Sequence, residues 1–386
     1  MLPLAILFWL SIGLIVWTQL GYALALAALA RVVGERRNPA RSPGRGGASQ
    51  FSMSLIVAAH DEEGVIGEKV RNALALDYPR ELLEVIVACD GCSDETAARA
   101  RDAGADLVLE LARGGKIRAQ DAAVARARGD VVAFSDANAS WEPSAARLLA
   151  AAFADPRVGY ACGQVHFLQA VVGPQGGNQE GVYWRYELAV RALESRLSSI
   201  TAGNGAIYAT RRSAYIVVDP IMGHDLSLPF NMVKRGLRAV YVPEARASEK
   251  MVPSILGEFA RKRRMMSHTW PILLRGGMLS PRGYPVGYAV MLFSHRLLRY
   301  VSPGLHVIAL ASNVALLALG GGAVYAVTLA LQLGLLAAAA LAGPVRLRPL
   351  LLARYYVLTT ASPAAGLWDW LRHGTSASWE AAEGTR

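Results

Sequence analysis

Three cysteines in 386 residues are too few for a disulfide framework, so covalent cross-links do not hold this chain together. Charge is scarce as well: 18% of the residues are Asp, Glu, Lys or Arg, against 53% apolar. That balance excludes a disordered chain. The shortage is most extreme near the start, where no charged side chain occurs from Leu2 to Ala30. At about 1.5 Å per helical residue, this stretch crosses a hydrocarbon core of about 30 Å. A cleaved signal peptide fits poorly, because the apolar run is too long and no positive charge precedes it. The basic residues come afterwards, at Arg31, Arg36, Arg37, Arg41 and Arg45. This asymmetry predicts a membrane anchor over 1–30, then a basic linker over 31–50 on the cytoplasmic side.

A second apolar region lies late in the chain. Leu305–Leu319 and Ala323–Ala342 are separated by Gly320, Gly321 and Gly322, which predicts a transmembrane hairpin over 301–343 that returns at Arg346 and Arg348. Within 344–386, the segment Leu350–Leu367 contains Arg354 and Pro363. It is compatible with spanning, re-entering or lying in the interface, and it leaves the side of the C-terminus open. The integral, multi-pass reading places the protein in the plasma membrane.

Between these regions, residues 51–253 alternate short apolar runs with amphipathic stretches. The runs Ser54–Ala58, Glu84–Cys89, Leu107–Leu109 and Val131–Phe134 predict strands, each followed by a helix. Such alternation implies an α/β domain with a mostly parallel sheet, inserted between membrane helices. Ligands bind such sheets beyond the carboxyl ends of the strands. The residues at those ends are Ala58-Ala59-His60-Asp61-Glu62-Glu63, Asp90-Gly91-Cys92-Ser93-Asp94, Gly114-Gly115-Lys116 and Ser135-Asp136-Ala137-Asn138. Taken singly, the acidic residues are ordinary turn and cap formers. Together they present carboxylates next to a lysine at a helix start. Carboxylates hold a phosphate through a divalent cation, Mg²⁺ or Mn²⁺, and the lysine holds it directly. The pattern therefore predicts a nucleoside diphosphate bound through a metal. Cys89-x-x-Cys92 has no second pair, so it does not read as a zinc or redox motif.

These motifs resemble, in order, those of the membrane-embedded members of glycosyltransferase family 2, which have the nucleotide-sugar-binding GT-A fold. Ala58–Glu63 resembles the P-A-Y-N-E-E segment, Asp90–Asp94 the D-G-x-S-D loop, and Gly115-Lys116 the G-K segment. Ser135–Asn138 resembles the D-x-D metal motif, Gly203-Asn204-Gly205-Ala206 the loop lining the donor and acceptor site, and Gly223-His224-Asp225-Leu226 stands at the E-D pair. The resemblance implies that Ala59, Glu62 and Asp90 hold the nucleoside, with Asp94 supporting their loop. Lys116 lies near the diphosphate, Asp136 and the weaker ligand Asn138 bind the cation, and Asp225 is the general base for transfer with inversion. It implies a nucleotide-sugar donor, with a UDP-sugar favoured, and a lipid or polysaccharide acceptor.

Four further residues are candidates for the acceptor. Asn204 lies in the Gly203 loop, and Trp184 lies in the aromatic stretch Tyr183–Tyr186, where a core role is equally natural. Arg261 and Arg264 stand where polymerising members have Q-x-x-R-W. Only R-x-x-R survives, with Met265 in place of Trp, which argues against processive synthesis. His224 precedes the base where an acid is usual and reads as structural. Phe259, Met266 and Trp270 around this basic run predict amphipathic interface helices over 254–300. Two other classes fit less well. A nucleotidyltransferase would not need a membrane hairpin, and a catalytically silent binding or export subunit would not need Asp90, Asp136 and Asp225.

The net charge of +10 is compatible with nucleic acid or an anionic membrane as partner. Residues 51–253 carry 22 basic and 25 acidic side chains, whereas 254–300 carry eight and one. The excess adjoins the membrane segments, so the partners are membrane lipids and not nucleic acid.

Overall fold

The computed structural model describes residues 1–33, 51–168, 177–250, 255–345 and 347–377, so most of the linker expected at 31–50, together with Arg346, lies outside the described residues. The chain between the membrane segments forms one sheet of eight strands. They are β1 (Met53–Ala59), β2 (Leu83–Asp90), β3 (Leu107–Leu111), β4 (Val131–Asp136), β5 (Ser140–Trp141), β6 (Val158–Leu168), β7 (Tyr208–Arg211) and β8 (Arg238–Lys250). Their order across the sheet is β3-β2-β1-β4-β7-β6-β8-β5.

The apolar runs become central strands because a strand covered on both faces has no polar side. β1 is buried at all seven positions. The hydroxyl of its Ser54 donates to Glu84 Oε2 at 2.6 Å and accepts from Gly129 N at 2.9 Å, so burying it leaves nothing unpaired. Alternation sends Leu55 to a core with Trp141, Leu149 and Phe153, and Ile56 to a second core with Phe134 and Tyr208 on the other face. The first four strands are parallel, as expected. The sheet is nevertheless mixed, since β7 runs antiparallel between β4 and β6.

Register is what positions the site. β1 aligns Ala59 with Cys89 of β2 and Ala58 with Asp136 of β4, so three strands stop along one edge. At that edge helices α1 (Ile66–Leu74), α2 (Thr96–Asp102) and α3 (Lys116–Val124) begin, while α4 (Ala145–Ala152) covers the neighbouring face. Three more helices complete this part: α5 (Gly177–Leu197), α6 (His224–Lys234) and α7 (Ile255–Leu274).

Among the described residues three helices are long and apolar enough to cross a membrane: Leu2–Val33, Val286–Ala318 and Ala323–Leu341. The second begins well before the hairpin start expected near residue 301, because Pro303 lies inside its helical part Leu298–Ala318. Part of the segment expected to hold interface helices thus belongs to a helix long and apolar enough to cross. The last helix, α8 (Arg348–His373), packs along α7. Trp270 Nε1 donates to the Pro363 carbonyl at 2.8 Å, and Arg263 pairs with both oxygens of Asp369 at 2.6 and 2.5 Å.

Phe134 is fully buried and stacks on Tyr208 with ring centroids 4.7 Å apart. Phe134→Ala is expected to cost about 3–5 kcal/mol by opening a cavity between strands and helices, measured as a lower thermal midpoint of the purified protein in detergent.

Candidate active site

The loops beyond β1 and β2 lock together through backbone groups. Asp90 ends β2 with 1% of its surface exposed. Its carboxylate accepts from Gly114 N at 2.6 Å and from Gly115 N at 2.9 and 3.1 Å. Gly115 takes φ +95°, a left-handed value that suits glycine and lets both amides converge on one acid. The Asp90 carbonyl faces His60 Nδ1 at 2.8 Å. Asp94 accepts from Glu63 N at 3.1 Å and Thr96 N at 3.0 Å, and the Glu62 amide donates to the Thr96 hydroxyl at 2.8 Å. Ala59 and Glu62 are buried beside these contacts. Their hydrogen bonds fix a concave wall at the edge of β1 and β2. Cys89 and Cys92 at its rim are free thiols.

Next to this wall, Lys116 starts α3 and forms an ion pair with Asp136 at the end of β4. Burial opposes the charge on Lys116, but Asp136 outweighs it and holds the ammonium pKa above its usual value. The field of the same ammonium reaches Asp225, whose pKa is pushed up by burial and pulled back by Lys116. Gly205 faces this pair: a Cβ there would lie 3.5 Å from Lys116 Nζ and 3.7 Å from Asp136 Oδ2. A side chain at that position would occupy the space over the two charges.

Asp225 sits in the first turn of α6, where the unpaired amides of a helix start favour an anion. Its backbone carbonyl accepts from Gly203 N at 2.7 Å, which binds the helix to the Gly203–Ala206 loop. Gly203 is required there by packing, since a Cβ would come within 2.0 Å of Tyr160 Oη. His224 points the other way. It is buried between Tyr208 Oη at 2.9 Å from Nδ1 and Tyr215 Oη at 3.2 Å from Nε2, and burial pushes its pKa down to about 3. It is a neutral spacer in the aromatic core.

The edge of β8 supplies residues the motif reading missed. β5 pairs antiparallel with β8, Ser140 opposite Ser248, which carries Glu249 alongside the Asp136–Asn138 turn. Asn138, Glu249 and Lys69 line one cavity of about 160 Å³. Burial and then the nearby Asp136 push the Glu249 pKa up to about 7. Burial lowers that of Lys69 to about 7; its Nζ donates to the Ala139 carbonyl at 2.8 Å. No local motif marks either residue: the pairing of β5 with β8 brings Glu249 here, and helix α1 carries Lys69. The donors Asp136, Asn138 and Glu249 are hard oxygens from three positions, a set that suits Mg²⁺ or Mn²⁺.

Three of the four acceptor candidates have side-chain partners within the protein. Asn204 Nδ2 donates to the Gly163 carbonyl at 2.8 Å, and its Oδ1 accepts from Ala206 N and Ile207 N, so the side chain shapes its own loop. Trp184 Nε1 donates to the Val165 carbonyl at 2.9 Å while its ring packs on Phe167. Arg261 pairs with the buried Glu258 one turn back on α7. Arg264 lies on that helix, where its carbonyl accepts from the Ser267 hydroxyl.

A family model described as glycosyltransferase like family 2 matches residues 50–267. An N-acetylglucosaminyltransferase of Rhizobium meliloti is 28% identical over 240 residues, 55% of this chain and 54% of that protein. A beta-monoglucosyldiacylglycerol synthase of Synechocystis is 31% identical over 161 residues, 39% of this chain and 33% of that one. The chain thus spans about half or less of the length of these curated relatives. Among solved structures, the mannosyltransferase PcManGT from Pyrobaculum calidifontis, in complex with GDP-Man and Mn²⁺, superposes with a TM-score of 0.67 at 22% identity. The match covers 95% of this chain and 99% of that one, and it shows a shared GT-A fold.

Asp90→Asn replaces one accepting oxygen by an NH₂ group that faces the Gly114 and Gly115 amides. Charge-assisted hydrogen bonds of this kind are worth about 1.5–3 kcal/mol each, so the glycine turn should open, measured as faster backbone hydrogen exchange at Gly114 and Gly115.

Proposed function

The chain belongs to the glycosyltransferase like family 2, and on that premise we propose that it transfers a sugar from a nucleoside-diphosphate donor to a lipid or polysaccharide acceptor at the membrane, with inversion. The observation that carries this reading is the Lys116–Asp136 pair against the open face of Gly205, with Asp225 within reach of the Lys116 field. The ammonium suits a diphosphate, and Asp225 supplies a base.

The chemistry follows from the charges. A hydroxyl that attacks an anomeric carbon must lose its proton as the new bond forms, and the Asp225 carboxylate takes it. The departing diphosphate gains negative charge on the opposite side, where the Lys116 ammonium meets it. Asp136, Asn138 and Glu249 would hold a divalent cation, which when bound adds charge stabilisation at the same oxygens. Glu249 then supplies the anionic ligand that Asn138, being neutral, does not. Ala59, Glu62 and Asp90 form the nucleoside wall, with Asp90 acting through the glycine turn it holds and Asp94 through the loop it pins. One base and one departing group suffice for a single displacement.

The relatives support the substrate class. Two are named as an N-acetylglucosaminyltransferase and a beta-monoglucosyldiacylglycerol synthase, and the structural neighbour was solved with GDP-Man and Mn²⁺. The donor is a nucleoside-diphosphate sugar, a UDP-sugar on the resemblance of the loops. The basic segment after the first span favours a multi-pass protein of the plasma membrane with this domain on the cytoplasmic side. Purified full-length protein in lipid nanodiscs, given a panel of radiolabelled nucleotide sugars, should place label in the lipid extract or in a polymer. Transfer from none of them would remove the reading.

Asp225→Asn should lower kcat by about a hundredfold or more while nucleotide binding persists, and retained turnover would remove the base assignment. Because burial raises the Asp225 pKa, the acid limb of kcat should lie above the ordinary Asp value of about 3.9, the rate falling as pH drops through it and the base becomes protonated. Asp136→Asn and Glu249→Gln should each weaken Mn²⁺ binding by about tenfold or more, read by electron paramagnetic resonance without any turnover.

A further inference from the structure

Two of the membrane spans carry a π-helical turn, Trp17–Gly21 in the first and Phe293–Leu297 in the second. The two turns meet. Trp17 Nε1 donates to Ser294 Oγ at 3.0 Å, and the Thr18 hydroxyl donates to the Ser294 carbonyl at 3.0 Å. A π-turn shifts the face of every residue that follows it, and such turns concentrate at functional sites. Here the residues beside these turns enter a buried polar cluster against α5, the helix that leads directly into the catalytic loop.

The centre of the cluster is Glu194, which is 0% exposed. Its Oε1 accepts from Tyr22 Oη of the first span at 2.7 Å and faces His295 Nδ1 of the second span at 2.7 Å. Its Oε2 accepts from Thr201 N and Thr201 Oγ1, each at 3.0 Å. Arg296 Nε donates to the same Thr201 hydroxyl at 2.9 Å. Two α5 turns earlier, Glu187 pairs with Arg299. Burial works against both carboxylates, yet the cations of the second span outweigh it and hold both pKa values below the usual range. Two residues beyond Thr201, Gly203 is held from both sides. Its carbonyl accepts from Arg191 at 3.1 Å and its amide donates to the Asp225 carbonyl at 2.7 Å.

We infer that Glu194 is a positioning residue through which the packing of the first and second membrane spans sets the place of the Gly203 loop and of Asp225. The inference rests on Asp225 being the base. A buried carboxylate that serves four donors on three separate segments has no slack, so a change in the span contact reaches the loop. A misplacement of about 1 Å at the chemistry is enough to cost roughly a hundredfold in rate. The domain is then competent only when the two spans are paired as they are here, which ties sugar transfer to the assembled membrane form.

The test uses the full chain in nanodiscs. Tyr22→Phe removes one hydroxyl in a membrane span, and Glu194→Gln removes the charge at the centre. Each should lower kcat by about tenfold or more with the donor KM within about twofold, and the double variant should lose less than the product of the two effects. Backbone hydrogen exchange over Thr201–Gly205 should quicken in both, a readout that needs no turnover. Tyr186→Phe, whose hydroxyl reaches only the Thr18 carbonyl at 3.4 Å, should leave kcat and exchange as they were. Unchanged exchange in Tyr22→Phe, a loss confined to KM, or losses that simply multiply would overturn the inference. If Glu194→Gln does not fold, Tyr22→Phe decides the matter alone. If Asp225→Asn keeps its turnover, the base assignment fails; if it is inactive while Tyr22→Phe is normal in rate and exchange, only the coupling fails.

Discussion

The Lys116–Asp136 ion pair is the contact around which the site is organised. A carboxylate at the half-buried end of β4 gains from a countercharge, and a half-buried lysine at the start of α3 gains from an anion. Each satisfies the other, and the pairing fixes where α3 begins relative to the sheet. It also keeps a cation at the position where a diphosphate would carry its charge. The ammonium is shared, because its field reaches Asp225 on α6 as well. Three elements distant in sequence are therefore bound to one point by charge, in a domain whose cores are otherwise apolar.

How far such a site can be read from sequence depends on what positions each residue. Asp90, Lys116 and Asp136 were legible because they follow directly on apolar strands, and a strand buried on both faces is visible as an uninterrupted run. Asp225 follows no such strand; it came instead from the resemblance of its motif. Glu249 was not legible: it ends the long strand β8, and only the pairing of β5 with β8 brings it alongside the Asp136–Asn138 turn. Antiparallel β7 was missed for a related reason, since four residues, Tyr208–Arg211, leave too short a pattern to separate from a loop.

Helix-period signals are ambiguous in a different way. Trp184 and Tyr183 resemble a sugar-binding stripe, yet Trp184 is committed to the Val165 carbonyl and to Phe167. An aromatic ring that packs on a sheet and one that packs on a sugar have the same composition, and only the neighbouring surface tells them apart. Pro303 suggested a helix start, but a proline inside a membrane helix is tolerated where neighbouring groups take up the freed carbonyls. The apolar content of the spans was plain from sequence. Their π-turns were not, because one extra residue in a helical turn leaves no mark in hydropathy.

The scarcity of charge in this chain gives its placement meaning. Most exposed pairs on the domain surface contribute little to stability, since water screens them. Two groups of charges stand apart from these: one around Lys116 and Asp136, and one buried between α5 and the two apolar helices that pack on it. Arg296 belongs to the second group, yet its field also reaches Asp225 of the first. Losing one partner from either cluster would strand a charge in apolar surroundings. Neither cluster can therefore relax independently of the strand ends and helix starts that hold it. A domain built this way gains rigidity at the candidate site from the same apolar composition that makes its flanking helices long and apolar enough to cross a membrane.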